Sequence, residues 1–321
     1  MNAAPLVSII IPSWNSERLL PVTLRSIREQ TLTEWECIIV DDGSADGTLE
    51  VARQWAREDP RFQVFAQRNA GQCVARNHGY ARSDARAPYV TFMDHDDIYM
   101  PGALRTLVSA AEIAPAMAGV HGLADFIDGE GAPFLPGNFS GRGRKRIGLG
   151  EDGKFREWKL TEPTCFRTLL LQNVTYPPGL VLTRRAYYEK AGLFDPQMPP
   201  LDDWDMLVRL SRHGDFQFLD EIVVLYRNHS GNASMQDIDF ALSQVRAFHT
   251  KTFCSPENTP EQAAIARQVW REINMVRLRG KLQTARDCLR AGKPHRACLA
   301  LAKTYVEIHR LIRGYPTANG L

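Results

Sequence analysis

The chain has 321 residues, of which 44% are hydrophobic, 24% charged and 9% aromatic. Those values suit one large globular domain, or a main domain with a smaller appendage, and exclude a disordered or collagen-like chain. The net charge of +2 hides an asymmetry: residues 240–321 hold 14 Lys and Arg against 5 Asp and Glu, leaving 25 against 32 for the remainder. A basic tail on an acidic body suggests two units, 1–238 and 239–321, with different partners.

No run approaches the ~18 consecutive apolar residues of a membrane-spanning helix. The start, MNAAPLVSIIIPSWN, lacks a basic segment and passes straight into a strand pattern, so no signal peptide is expected and the cytoplasm is the expected location. Six cysteines (Cys37, Cys73, Cys165, Cys254, Cys288, Cys298) include no CxxC pair, and suggest neither a disulfide framework nor a zinc knuckle. Four Asn-x-Ser/Thr sequons, at Asn138, Asn173, Asn228 and Asn232, carry no meaning in a chain that is not secreted.

The first hundred residues alternate strand and helix patterns. Leu6–Ile11 is a short β-branched run closed by Pro12 and reads as a buried parallel strand. Asn15 or Ser16 can cap the next helix, whose Leu19, Leu20, Leu24 and Ile27 fall at helical spacing. Trp35–Val40 is the second strand, turning at Asp41-Asp42-Gly43-Ser44, and Asp46 or Thr48 starts a helix with Leu49, Val51, Ala52 and Trp55. Phe62–Phe65 reads as a third strand, Val74–Ala81 as a helix and Tyr89–Met93 as a fourth strand running into Asp94-His95-Asp96-Asp97, after which Pro101 opens another helix. Strands and helices in this order imply a mostly parallel α/β sheet covered on both faces, with ligands beyond the carboxyl ends of the strands. Ser13-Trp14-Asn15, Asp41 to Ser44 and Asp94 to Asp97 are polar clusters at three such ends.

Residues 129–150 are rich in Gly and Pro and carry Arg142, Arg144, Lys145 and Arg146, the composition of a long mobile loop. From about Asp239 the pattern is helical, with an apolar stripe from Ala285 through Cys288, Leu289, Leu299 and Tyr305 to Leu311, and a turn at Ala291-Gly292-Lys293-Pro294 between two helices.

There is neither GxGxxG after the first strand nor GxxxxGK[ST], so the two common phosphate cradles are unsupported. Asp94-x-Asp96 supplies a different device. Two carboxylates one residue apart at a strand end can share a divalent ion, and oxygen ligands suit Mg2+ or Mn2+.

The ordered blocks VSIIIPSWN, ECIIVDDGSADGT, RNAGQCVARNHGY and YVTFMDHDDIYMPGAL, then Gly192 to Asp195 with Leu201-Asp202-Asp203-Trp204-Asp205, then Tyr226-Arg227-Asn228-His229 with Asn232 and Ser234, resemble the family-2, GT-A-type glycosyltransferases over residues 6–234. The resemblance implies a GT-A-type (nucleotide-diphospho-sugar transferase) sheet flanked by helices, with a C-terminal helical appendage outside it. It implies an inverting transfer, dependent on Mn2+ or Mg2+, from a nucleotide-diphosphate sugar, most commonly a UDP-sugar, to a hydroxyl of a glycan, glycolipid or other acceptor in cell-surface polysaccharide or glycoconjugate synthesis.

Carried onto this chain, Pro12, Trp14 and Asn15 line the nucleotide pocket and Asp42, rather than Asp41, accepts from the base. Arg76 and Asn77 lie near the base or diphosphate, Asp94 faces ribose and metal, Asp96 is the direct metal ligand, and His229 is a third ligand. His95 points away, and Arg227 meets the diphosphate. Asp203 is the general base: direct displacement needs one carboxylate opposite the leaving group to take the acceptor's proton. The family's usual Glu-Asp-Trp/Tyr-Asp is here Asp202-Asp203-Trp204-Asp205, which leaves Asp202 as the rival base and Trp204 as an acceptor wall or a core residue. Competing readings are a sugar nucleotidyltransferase, which should carry a Gly-rich signature where Pro12-Ser13-Trp14-Asn15 stands, and a non-catalytic module using the basic tail. The acidic body weighs against nucleic acid. The loop Arg142–Arg146 either closes over phosphates or is solvated, and the basic C-terminal helices either pack on the body or touch a partner or anionic lipid at the inner face of the membrane.

Overall fold

The β-branched, wholly apolar core of the first strand dictates a position with no solvent face, and that is where it lies. In a computed structural model describing residues 4–133, 143–229, 231, 238–299 and 301–302, every residue of β1 (Val7–Ser13) and β2 (Trp35–Asp41) is buried. With β3 (Phe62–Ala66) and β4 (Tyr89–Phe92) they form a parallel set, β1 in the middle between β2 and β4. Between them run α1 (Leu20–Arg28), α2 (Thr48–Glu58) and α3 (Gln72–Arg82). The strands expected from sequence match within two residues at each end, and α3 is longer than expected by two residues at its start and one at its end. The first helix differs in its start: it begins at Leu20, and Ser16 instead uses its backbone carbonyl to receive the N–H groups of Leu19 and Leu20.

After β5 (Ile98–Tyr99) and α4 (Ala103–Ile113) the sheet is completed by β6 (Gly119–Ile127), β9 (Val181–Arg184) and β10 (Phe216–Arg227), while β7 (Ile147–Leu149) and β8 (Phe155–Glu157) form a separate hairpin. The strand order is β3-β2-β1-β4-β9-β6-β10-β5. Within this sheet, among the described residues, only β9 and β5 run antiparallel to their neighbours, so the mostly parallel sheet is observed. A short α5 (Phe166–Leu169), α6 (Arg185–Ala191) and α7 (Asp202–Ser211) complete the body.

α3 packs across β1 and β2. A Cβ at Gly79 would lie 2.5 Å from Ile10 Cγ2, so only glycine lets the helix approach that closely. This contact sets the height of Arg76, one turn earlier, against the strand ends.

The C-terminal region begins with α8 (Ile238–Phe253) and α9 (Pro260–Arg290). Phe248 is fully buried and stacks on Trp204 at 4.2 Å, and Ala266 and Val269 join the same core. Beyond Asn274, α9 leaves Val276, Leu282 and Leu289 exposed. The turn expected at Ala291–Pro294 is present, with Gly292 at φ +66°. Among the described residues no helix is long and apolar enough to cross a membrane. The expected apolar positions Tyr305 and Leu311, together with Arg142, Asn138, Asn232 and Ser234, lie outside the described residues.

Candidate active site

The carboxyl ends of β1, β2 and β4 open onto a cavity of about 590 Å³. Its wall brings together Pro12, Trp14, Asn15, Asp42, Arg76, Asp94, His95, Asp96, Asp202, Asp203 and His229 from segments spread over more than two hundred residues. His95, expected to point away, is instead part of the wall, with its Nδ1 3.3 Å from Pro12 O, whereas Asp41, Asn77, Trp204 and Arg227 are not among the lining residues. The Asn77 amide exchanges hydrogen bonds with the backbone of Phe194, and Trp204 donates its ring N–H to Leu169 O at 2.6 Å. Asp41 is buried and accepts from Ser44 N. Of the basic loop, Arg146 is fully buried: it donates to the carbonyls of Lys159 and Glu162 and lies over the Phe218 ring, so it braces the chain instead of covering phosphates.

On one side, Trp14 is 52% exposed at the rim, on a turn whose next residue, Asn15, takes φ +47°. Asn is one of the few side chains that tolerate that region. Its Oδ1 accepts from Ala45 N at 2.8 Å, which ties the loop after β1 to the loop after β2. Asp42 Oδ1 accepts from Gln67 Nε2 and Ala70 N, and Oδ2 accepts from Gly71 N. One lone pair of Oδ2 is left for a further N–H, which is the room a nucleotide base needs.

The Asp94–Asp97 loop is held from two sides. Thr23 Oγ1 of α1 donates to the carbonyls of His95 and Asp97, each at 2.8 Å. Arg227 donates through Nε to Asp96 O and through its backbone N–H to Asp97 Oδ1. Asp97 is fully buried, and burial beside the charges of Asp96 and Asp94 pushes its carboxyl well above the usual range. It braces the loop from inside through Arg227 N and is not among the residues lining the cavity. Burial raises the Asp94 carboxyl more than the Arg76 guanidinium lowers it. Burial raises Asp96 too, but there the hydrogen bond to His229 and the nearby imidazoles win, and it stays ionised.

Opposite this loop, α7 begins with three aspartates in its first turn, where the helix dipole favours negative charge. Asp202 is turned to α3: its oxygens accept from Gln72 Nε2 at 2.7 Å and from Arg76 Nη1. Arg76 reaches the other way with Nη2 to Asp94 Oδ1 at 2.7 Å. A buried guanidinium thus bridges the two sides of the cavity. Burial works against its charge, but Asp202, Asp94 and Asp203 outweigh that and keep it protonated. Asp203 accepts from Trp204 N at 2.7 Å and Asn173 Nδ2 at 3.2 Å. Burial, then the charge of Asp202, push its carboxyl from 3.8 up to about 7. Such a group loses and regains a proton near neutrality, whereas Asp202 is engaged by two fixed partners. Asp205 bonds Arg209 and Lys251. Gln72, Asn173 and Thr23 escape sequence reasoning because their roles depend on contacts 130, 30 and 72 residues away.

The wall carries five carboxylates against one guanidinium and two imidazoles. An anionic diphosphate entering it meets like charge unless a cation comes too. Asp96 Oδ2 and His229 Nε2 lie 2.9 Å apart, an oxygen and a nitrogen close enough to share one proton or one ion, and Asp94 keeps its second oxygen clear of Arg76. Among the described residues no group of three such side chains is gathered around a single point. Asp96 and His229 are an oxygen and a nitrogen donor of the kind that Mn2+ or Mg2+ would accept.

Residues 8–192 match the family described as Glycosyl transferase family 2. A Campylobacter jejuni GalNAc(5)-diNAcBac-PP-undecaprenol beta-1,3-glucosyltransferase is 34% identical over 142 residues, which are 44% of this chain and 44% of that protein. The chain spans less than half the length of the curated relatives it matches first. Two solved structures share the fold. The mannosyltransferase PcManGT from Pyrobaculum calidifontis, in complex with GDP-Man and Mn2+, aligns with TM-score 0.61 at 17% identity over 95% of this chain and 76% of its own. S. aureus TarS 1-349 in complex with UDP-GlcNAc gives 0.56 at 17% identity over 96% and 92%. The sheet order, the helices that flank it and the matched segment agree: the fold is of the GT-A type, and the chain belongs to glycosyltransferase family 2.

Proposed function

We propose that the chain is an inverting glycosyltransferase that moves a sugar from a nucleotide diphosphate, with UDP the first candidate, to an acceptor hydroxyl, using Asp203 as general base. The carrying observation is that Asp203, a buried carboxyl pushed up to about 7 by its surroundings, lines the same cavity as Asp94 and Asp96. Asp42 and the Trp14 turn hold the nucleotide, and Arg76 keeps the carboxylates of the two walls in register. Asp203 takes the proton from the attacking hydroxyl, and one base opposite the leaving group is what direct displacement requires. Asp96 and His229, with Asp94 beside them, would hold Mn2+ or Mg2+, which when bound neutralises charge on the departing diphosphate. The bound nucleotide sugars of PcManGT and TarS support the donor class, and the lipid-linked saccharide in the Campylobacter name supports a glycan or glycolipid acceptor.

The test is a panel of UDP-, dTDP- and GDP-sugars, read by thermal shift and hydrolysis with and without Mn2+. A stabilising sugar nucleotide must raise the melting temperature. Asp203→Asn should keep that shift and lose ~10²–10⁴-fold in turnover. Full turnover by Asp203→Asn would remove the base assignment.

For the basic tail, the reading is contact with anionic lipid. Exposed Val276, Leu282 and Leu289 lie among Arg277, Arg279, Lys281, Arg286 and Arg290 on the outer half of α9. Sedimentation with phosphatidylglycerol vesicles should capture the protein at low salt. Equal capture by phosphatidylcholine vesicles would count against the charge-led contact.

A further inference from the structure

The sequon Asn173-Val174-Thr175 has a second use for its two polar side chains. Asn173 Oδ1 accepts from Thr175 N at 3.1 Å and from Thr175 Oγ1 at 3.0 Å. A backbone N–H can only donate, so the atom facing it must be the amide oxygen, and the amide nitrogen is left facing Asp203. Nδ2 donates to Asp203 Oδ2 at 3.2 Å. Thr175 is fully buried, so this orientation is not free to flip. Trp204 N fixes the other oxygen of Asp203. The carboxylate is thereby held at both oxygens by two segments thirty residues apart in sequence. The charged groups facing it are Asp202 on its own helix, Arg76 from α3 and Asp94 from the loop after β4.

We propose that Asn173, locked by Thr175, is a positioning residue for Asp203: its amide aims the carboxylate at the cavity and stabilises negative charge on it. This rests on the reading of Asp203 as base. An amide N–H bonds the ionised carboxylate more strongly than the neutral acid, so it favours the ionised form. Its removal therefore moves the Asp203 titration upward and slows the proton transfer, with little change in how the sugar nucleotide binds.

The direct test is a 13C NMR titration of the metal-free protein labelled at aspartate carboxyls, with the Asp203 signal assigned by its loss in Asp203→Asn. In Asn173→Ala the midpoint should rise by about one pH unit, the size expected when a carboxylate loses one such hydrogen bond. With the nucleotide sugar found by the panel, kcat should fall about tenfold while the sugar-nucleotide KM stays within twofold. Thr175→Val, which keeps the backbone N–H but removes the hydroxyl, should move both readings part of the way, and Thr175→Ser should restore them. An unmoved midpoint in Asn173→Ala overturns the proposal. If that variant does not fold, an unmoved midpoint in Thr175→Val, or identical readings for Thr175→Val and Thr175→Ser, overturns it instead. The two readings fail separately: Asp203→Asn at full turnover removes the base, whereas an inactive Asp203→Asn beside an unaffected Asn173→Ala removes only the positioning role.

Discussion

On the wall formed by the strand ends each acidic residue follows a strand within a few positions: Asp42 follows β2, and Asp94 and Asp96 follow β4. On the facing wall, Asp203 stands in the first turn of α7, and the groups that hold it come from residues 76, 173 and 204. The first wall is built from loops pinned to strands with no solvent face. The second is assembled from segments remote from one another, and it meets the first through Arg76. Asp96 is kept ionised by two imidazoles, His95 of its own loop and His229 from just past the end of β10, whereas Asp203 depends on an environment in which burial and the charge of Asp202 work against ionisation.

The largest effect should come from cutting that tie. Arg76 and Asp202 have side chains only 3% and 2% exposed. Removing one partner of a buried pair leaves an uncompensated charge and costs about 3–5 kcal/mol. Arg76→Met is therefore expected to lower stability by that amount in urea unfolding. The double variant Arg76→Met/Asp202→Asn should regain most of it, because Asp94, whose side chain is 28% exposed, can be hydrated once it loses its partner. Losses that add in the double variant would mean the two walls are not coupled through this pair.

The same contrast governs how much could be read from the residues alone. The apolar runs LVSIII and WECIIV fix their strands by composition, and the clusters that follow must then lie at the carboxyl edge, so Asp42, Asp94 and Asp96 were legible as a group. Asp203 was legible only through the resemblance, since an aspartate in a helix's first turn is otherwise explained by the dipole. Asn77 misled in the other direction, while for Trp204 the sequence left an acceptor wall and a core place equally open. Both belong to matching blocks, yet one is used on the Phe194 backbone and the other in the contact with Phe248. Asn173 stands in a sequon to which the sequence assigns no role, and its use stays hidden because its partner is a carboxylate thirty residues on and no local pattern marks that distance. Arg146, read as part of a solvated or phosphate-covering loop, is buried by carbonyl partners that only the folded chain supplies.

A smaller effect, spread over pH, tests whether Asp203 is tuned by its surroundings. With its carboxyl raised from 3.8 to about 7, the residue is ready to accept a proton only above neutrality. Turnover should rise with pH to a plateau near 8 and fall about tenfold for each unit below 7, as the ionised fraction does. The stability consequence has the opposite sense. Between pH 4 and 7 the folded protein keeps a proton that the unfolded chain has already released, so this group's contribution declines as pH rises through that window and is constant above it. Asp203→Asn removes the titration. Its melting temperature relative to the parent should therefore climb from pH 4 to pH 7, by about 2–4 °C for each kcal/mol recovered, and then level off. A difference that stays flat across the window would mean that Asp203 already titrates as an ordinary surface carboxylate, and the wall around it would then have no part in making it a base.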